Sequence, residues 1–198
     1  KKLNFNTDSL AKFTAFSLQI TSKRNLLLNN INLFYDTDYK KSIKEEWFKQ
    51  LDTTISMPPQ FVYNHFTKEK MIIVQNDDHK VFAINSKGEE LWNIQLNSRI
   101  IGNISSIDVY KNNKYQCLFN TESQLYLIDR NGRYVDGFPK LLPSNTKIGH
   151  ALFDYNKTKK YRIIIIGEDN KIYNLDKKGK KVKGWKYKKD RKRIKQTP

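Results

Sequence analysis

The chain has 198 residues, 37 Lys or Arg against 20 Asp or Glu, a formal net charge of +17, and 38% hydrophobic and 13% aromatic residues. That apolar content is too high for a disordered chain of this charge, so the chain folds. Its one cysteine, Cys117, excludes an intramolecular disulfide framework and any multi-cysteine metal centre, and no run approaches the ~20 apolar residues that span a bilayer.

The start at Lys1 without methionine and the stop in a basic run at Pro198 predict a portion of a longer chain. Strands are expected at Phe13 to Ile20 and at Ile31 to Tyr35, followed by a long turn from Asp36 to Lys44. Beyond Trp47 the chain reads as short aromatic or β-branched runs between polar turns. Phe61 to Tyr63, Ile107 to Tyr110 and Leu152 to Tyr155 read as first strands, and Met71 to Val74, Gln116 to Phe119 and Arg162 to Ile166 as second strands. Third strands follow at Val81 to Ile84, Leu125 to Ile128 and Ile172 to Leu175. Each runs into an Asn or Asp with a glycine three residues later, Gly88, Gly132 or Gly179, which suits a tight turn where glycine takes positive φ without steric cost. A fourth strand then reaches a large aromatic residue.

Those aromatics, Trp47, Trp92, Phe138 and Trp185, are spaced by 45, 46 and 47 residues. Four short antiparallel strands repeated about every 46 residues are the signature of a β-propeller blade. A β-sandwich of irregular strands does not explain the ladder. The expected fold is therefore all-β, a propeller or propeller segment of about four repeats. Residues 1–59 would be a degenerate first copy, 60–187 regular copies and 188–198 a basic tail. The ladder positions read as packing residues.

The Trp-x-x-x-Leu endings at Trp47 and Trp92, the apolar-Tyr/Phe-x-apolar-Asp/Asn strands and the glycine after them resemble the repeats of quinoprotein-dehydrogenase-like (PQQ-like) propellers. Leu125 to Gly132 and Leu152 to Tyr155 are more closely similar to segments of large, uncharacterised bacterial envelope proteins. The resemblance covers residues 60–187 well and 10–59 loosely. It implies the propeller fold, a periplasmic or extracellular envelope location and, for the closer relatives, no known activity. Quinoprotein dehydrogenases hold their cofactor with a calcium ion, a tryptophan floor and often paired cysteines. This chain departs from that pattern in its single cysteine and in tryptophans that fall at packing positions.

No catalytic, cofactor-binding or metal-ligating residue is assigned. The turn acids Asp77, Asp78, Glu122, Glu168 and Asp169, and the run Asp154 to Thr158, lack the bent glycine loop and terminal bidentate acid of a calcium site. His65, His79 and His150 show no metal-ligand spacing, and neither a nucleophile elbow nor a phosphate-cradling loop is present. Cys117 aligns with Ile73 and Ile164 and reads as a core residue. The expected function is thus a non-catalytic scaffold. It would bind a protein or polymer partner through Thr53 to Gln60, Ser98 to Ser106 and Leu142 to His150. The alternative is nucleic-acid or polyanion binding through Lys177 to Lys195, 19 residues with 12 Lys or Arg and the single acid Asp190. There cations would meet phosphates, and rings such as Trp185 and Tyr187 would meet bases.

Overall fold

A computed structural model describes residues 13–23, 26–36 and 47–185. The chain divides into two compact units at the Glu46–Trp47 junction. It adopts the all-β class expected from the sequence, as antiparallel sheets of two to four strands.

In the first unit β1 (Phe13–Lys23) pairs with β2 (Leu26–Tyr35) as a long hairpin. Both strands run longer than the sequence suggests. Period-two alternation places Leu18, Ile20, Ile31 and Leu33 on one face, each more than half exposed. The expected turn beyond Asp36 and the basic tail 188–198 lie outside the described residues.

The second unit holds three meanders. The first sheet is β3 (Gln60–Asn64), β4 (Glu69–Gln75), β5 (Lys80–Ile84) and β6 (Glu90–Gln95), hydrogen-bonded in that order. The second is β7 (Ile101–Ile107), β8 (Gln116–Asn120), β9 (Gln124–Ile128) and the two-residue β10 (Lys140–Leu141). The third has β11 (Ala151–Phe153), β12 (Arg162–Ile166) and β13 (Ile172–Asp176), and a bridge from Leu175 to Lys181 stands where a fourth strand would begin.

Second and third strands of the first two sheets are apolar on both faces because those sheets are covered on both sides, while the third sheet buries one face. Met71, Ile73, Val81 and Ala83 of the first sheet share a core with Cys117, Phe119, Tyr126 and Ile128 of the second. The alternate row of the second sheet, Leu118, Leu125 and Leu127, packs with Ile163, Ile165 and Leu175 of the third. Each of the larger aliphatic and Phe side chains among them contributes roughly 1.5–3 kcal/mol by leaving water.

The first strand of the first sheet contains the expected Phe61 to Tyr63, whereas those of the second and third sheets end earlier than expected. Asp108 Oδ1 and Oδ2 accept the backbone N–H groups of Asn112 (3.1 Å) and Asn113 (2.8 Å), and Asp154 does the same for Thr158 (3.1 Å) and Lys159 (3.0 Å). The chain therefore turns at each aspartate, and Val109, Tyr110 and Tyr155 belong to turns. Conversely, Ile101 to Ser106, expected as loop, is strand. The register also moves Cys117 by one position. It pairs with Ile128 as Ile72 pairs with Ile84 and Ile163 with Leu175, so its equivalents are Ile72 and Ile163.

The aromatic ladder joins one repeat to the next. Gly88, at φ +83°, approaches the Trp47 ring so closely that an added Cβ would stand 2.7 Å from Trp47 Cδ2, and Gly132, at φ +78°, meets Trp92 with 2.8 Å to the same atom. Each indole N–H also donates to a carbonyl of the turn it covers, Trp47 to Ser86 O and Trp92 to Arg130 O, both at 2.8 Å. At the third junction the ring is Phe138, which has no N–H. A Cβ on Gly179 would lie 3.7 Å from Phe138 Cε1, and the Lys140 stem stands nearer, at 2.9 Å.

Gly184 separates backbone strain from ring contact, because its φ is +77° with nothing within 4 Å of an added Cβ. Both Gly132→Ala and Gly184→Ala incur the strain of positive φ, whereas only the former pushes into an indole. Urea unfolding is expected to show Gly132→Ala less stable than Gly184→Ala by about 1–3 kcal/mol. Equal losses would contradict the interlock.

Candidate functional site

In a meander the turns after the first and third strands lie at one end of the sheet. The turn after the second strand, and the connection to the next sheet, lie at the other. The loops expected to bind a partner therefore share the connection end. Their placement rests on two buried amides. Gln75 and Asn120 close β4 and β8 at equivalent register positions, opposite Val81 and Leu125, and both are fully buried. Gln75 Oε1 accepts the N–H of Ile100 and Asn120 Oδ1 that of His150, each at 2.8 Å. Each sheet thus uses one amide oxygen to hold the residue that precedes the next sheet's first strand. Removing such a partner leaves a buried N–H unsatisfied, at about 1–3 kcal/mol.

His150 extends the second of these contacts. Its Nδ1 lies 3.2 Å from Asn120 Oδ1 and its Nε2 2.9 Å from Ser105 Oγ. Because that amide oxygen already accepts a backbone N–H, the His150 proton resides on Nδ1, and Nε2 accepts from the Ser105 hydroxyl. The arrangement has the outline of a nucleophilic triad. However, burial holds the imidazole down at about 4, where it is a weak base at neutral pH. What it does well is tie β7, β8 and the connection before β11 together with a neutral ring.

The same end carries a close backbone approach. A Cβ on Gly102 would stand 2.7 Å from Gly149 Cα. Gln60 Nε2 donates to Gly102 O at 3.2 Å while Gln60 Oε1 accepts the Ile104 N–H at 2.6 Å. A cavity of about 600 Å³ opens there, lined by Pro58, Pro59, Gln60, Arg99, Gly102 and Asn103 among others. Cations of this end are paired with acids of the neighbouring turns, Arg99 with Asp77 at 3.9 Å and Lys147 with Glu168 at 3.0 Å.

The remaining candidates fall in separate places. His65 Nδ1 accepts the Tyr115 N–H at 3.1 Å, and burial, with Arg130 nearby, lowers its pKa. His79 sits in the β4–β5 turn at φ 65°. Cys117 is buried, which pushes its thiol up to about 12. Among the described residues no three His, Cys, Asp or Glu side chains gather as metal ligands. Of the basic run, Lys177 to Lys183 lie after β13, with Lys177 donating to Val109 O, while everything past Trp185 lies outside the described residues. The Asn120, His150 and Ser105 cluster was not visible in sequence, since its members are 30 and 45 residues apart. The available signal was a polar residue closing an apolar second strand at the same point in two repeats.

No protein-family model matches the chain, and no curated protein matches it. No helix among the described residues is long and apolar enough to cross a membrane.

The depressed His150 value has a definite sign. The unfolded imidazole titrates near 6.5 and takes up a proton that the buried ring refuses until about pH 4. The stability it contributes is complete above pH 6.5 and falls, by up to about 3 kcal/mol, as the pH drops toward 4. Urea unfolding should show a shallower loss between these pH values for His150→Gln than for the natural chain. Parallel profiles would contradict the assignment.

Proposed function

We propose that this chain is a non-catalytic, propeller-type scaffold, built of PQQ-like repeats, that presents its connection end to a protein or polymer partner in a bacterial envelope assembly. The observation that carries the reading is the construction of that end. Gln75, Asn120 and His150 fix the backbone of successive connections from beneath, while Pro58, Asn103 and Lys147 stay exposed above it. A rigid frame with exposed, chemically varied loops suits recognition, because little ordering entropy is lost on binding. The hydrogen bonds of the His150 cluster are used in holding the frame, which leaves Ser105 a positioning contact. The envelope location rests on the sequence resemblance alone.

The test is a pull-down from the source cell's envelope fraction with the natural chain and with Pro58→Ala/Asn103→Ala/Lys147→Ala, each on a different part of the surface. Capture of specific partners should fall at least about tenfold, equivalent to ~1.4 kcal/mol, with an unchanged melting temperature. Retention of every partner by the triple variant would rule this surface out.

A further inference from the structure

The two ends of the sheets in the second unit differ in charge. The turns after the second strands, 76–79, 121–123 and 167–171, hold five acids, Asp77, Asp78, Glu122, Glu168 and Asp169, and one cation, Lys171, which pairs with Asp169 at 2.9 Å. The six turns at the opposite end, 65–68, 85–89, 108–115, 129–133, 154–161 and 177–180, hold twelve Lys or Arg and four acids. Three of those acids, Asp108, Asp129 and Asp154, are directed into their own turns, where they accept backbone N–H groups. The fourth, Glu89, accepts from Asn85. The carboxylates are thus used within the turn end, Asp108 also holding the Lys159 ammonium of the next repeat and Lys177 donating to Val109 O, which leaves the cations of this end in excess of its acids.

That end also exposes one aromatic ring in the first turn of every repeat. Phe66 is 70% exposed, Tyr110 59% and Tyr155 75%. The Arg130 guanidinium lies 4.2 Å from the Phe66 ring centroid. The charge is concentrated where the ladder changes from Trp to Phe. Without an indole over the Gly179 turn, a cleft of about 290 Å³ remains between the second and third sheets, with Tyr110, Phe138, Lys140, Lys177, Lys178 and Lys180 in its walls. Asp136 is the one acid there, and none of the four lysines is ion-paired with a described residue.

We propose that this turn end binds single-stranded nucleic acid, with the Phe138 cleft as its strongest phosphate site. Lysines without counter-charges gain from phosphates by releasing condensed counterions. Exposed rings interleaved with them stack on bases, whose faces a single strand offers and a duplex hides. A polymer bearing charge alone would use the lysines and leave the rings idle. The surface is separate from the connection end, so it stands or falls independently of the scaffold reading.

The test uses the full chain and fluorescence anisotropy of a labelled oligothymidine of about 16 nucleotides over a salt series. Lys140→Gln/Lys178→Gln/Lys180→Gln is expected to weaken binding at least tenfold and to reduce the slope of log K against log salt by about 2, three phosphate contacts at ~0.7 each. Tyr110→Ala is expected to weaken it about fivefold or more with the slope unchanged. Tyr110, Lys178 and Lys180 are exposed and Lys140 is half-buried with its stem against the Gly179 turn, and an unchanged melting temperature verifies the folding of both variants. The oligonucleotide should also shield Lys140, Lys178 and Lys180 from acylation in the natural chain. Natural affinity in the triple variant, or no shielding, would overturn the cleft. A duplex bound as tightly as the single strand, or a Tyr110→Ala chain binding normally, would overturn the single-strand assignment.

Discussion

The contact on which the second unit depends is an indole laid on a glycine turn of the following repeat. It solves a problem that short strands create. Short strands each bury little area and need a packed face to be stable, so each sheet must be held in register with its neighbour. The Trp ring supplies apolar area and its N–H supplies direction, since the bond to Ser86 O or Arg130 O forms in one orientation only. Glycine is needed beneath it twice over, for the positive φ of the turn and for the absence of a Cβ. The buried amides Gln75 and Asn120 repeat the principle at the other end of the sheets. The first and second sheets are thus pinned at both ends around a shared apolar core, while the second and third share a core pinned by Asn120 at one end and touched by the Phe138 ring at the other.

Where the pinning weakens, chemistry becomes accessible. Phe138 keeps the apolar contact and loses the directed bond, and the space left beside it is bordered by lysines rather than carbon. The charged turns show a related economy. Asp108 is fully buried, and burial alone would raise its carboxyl, but the bonds from Lys159 and from the Asn113 and Asn112 N–H groups outweigh this and hold it below its ordinary value. Lys159 is correspondingly raised, chiefly by its bond to Asp108. This pair crosses from the second repeat to the third, as does the bond from Lys177 to Val109 O, so two turn-end cations are engaged in structure.

Much of this was legible in the chain. The period, the second and third strands and the hairpin glycines are local, written in β-branched runs and in Asn or Asp three residues before Gly. The first strands of the second and third sheets differ from the expectation because Asp108 and Asp154 look like strand residues until their carboxylates are seen to fold the backbone. Cys117 was set one position off because its repeat carries a differently timed turn, and only hydrogen-bond register reveals which face a residue takes. The His150 contacts join distant segments and leave no spacing pattern. The basic character was legible as composition but was assigned to the end of the chain. Once the turns are sorted by end of sheet, part of it also falls on one face, where six turns hold twelve Lys or Arg against four acids.

The first and second sheets are held together by a directed aromatic clamp rather than by apolar area alone. Native-state hydrogen exchange of Trp92→Phe tests it most directly, because the substitution keeps a ring and removes only the indole's extra size and its N–H. Amides of β8 and β9 are expected to lose protection, with an opening free energy lower by about 1 kcal/mol for the lost hydrogen bond, while those of β12 and β13 lose less. Unchanged protection in β8 and β9, or a uniform loss across all three sheets, would contradict it.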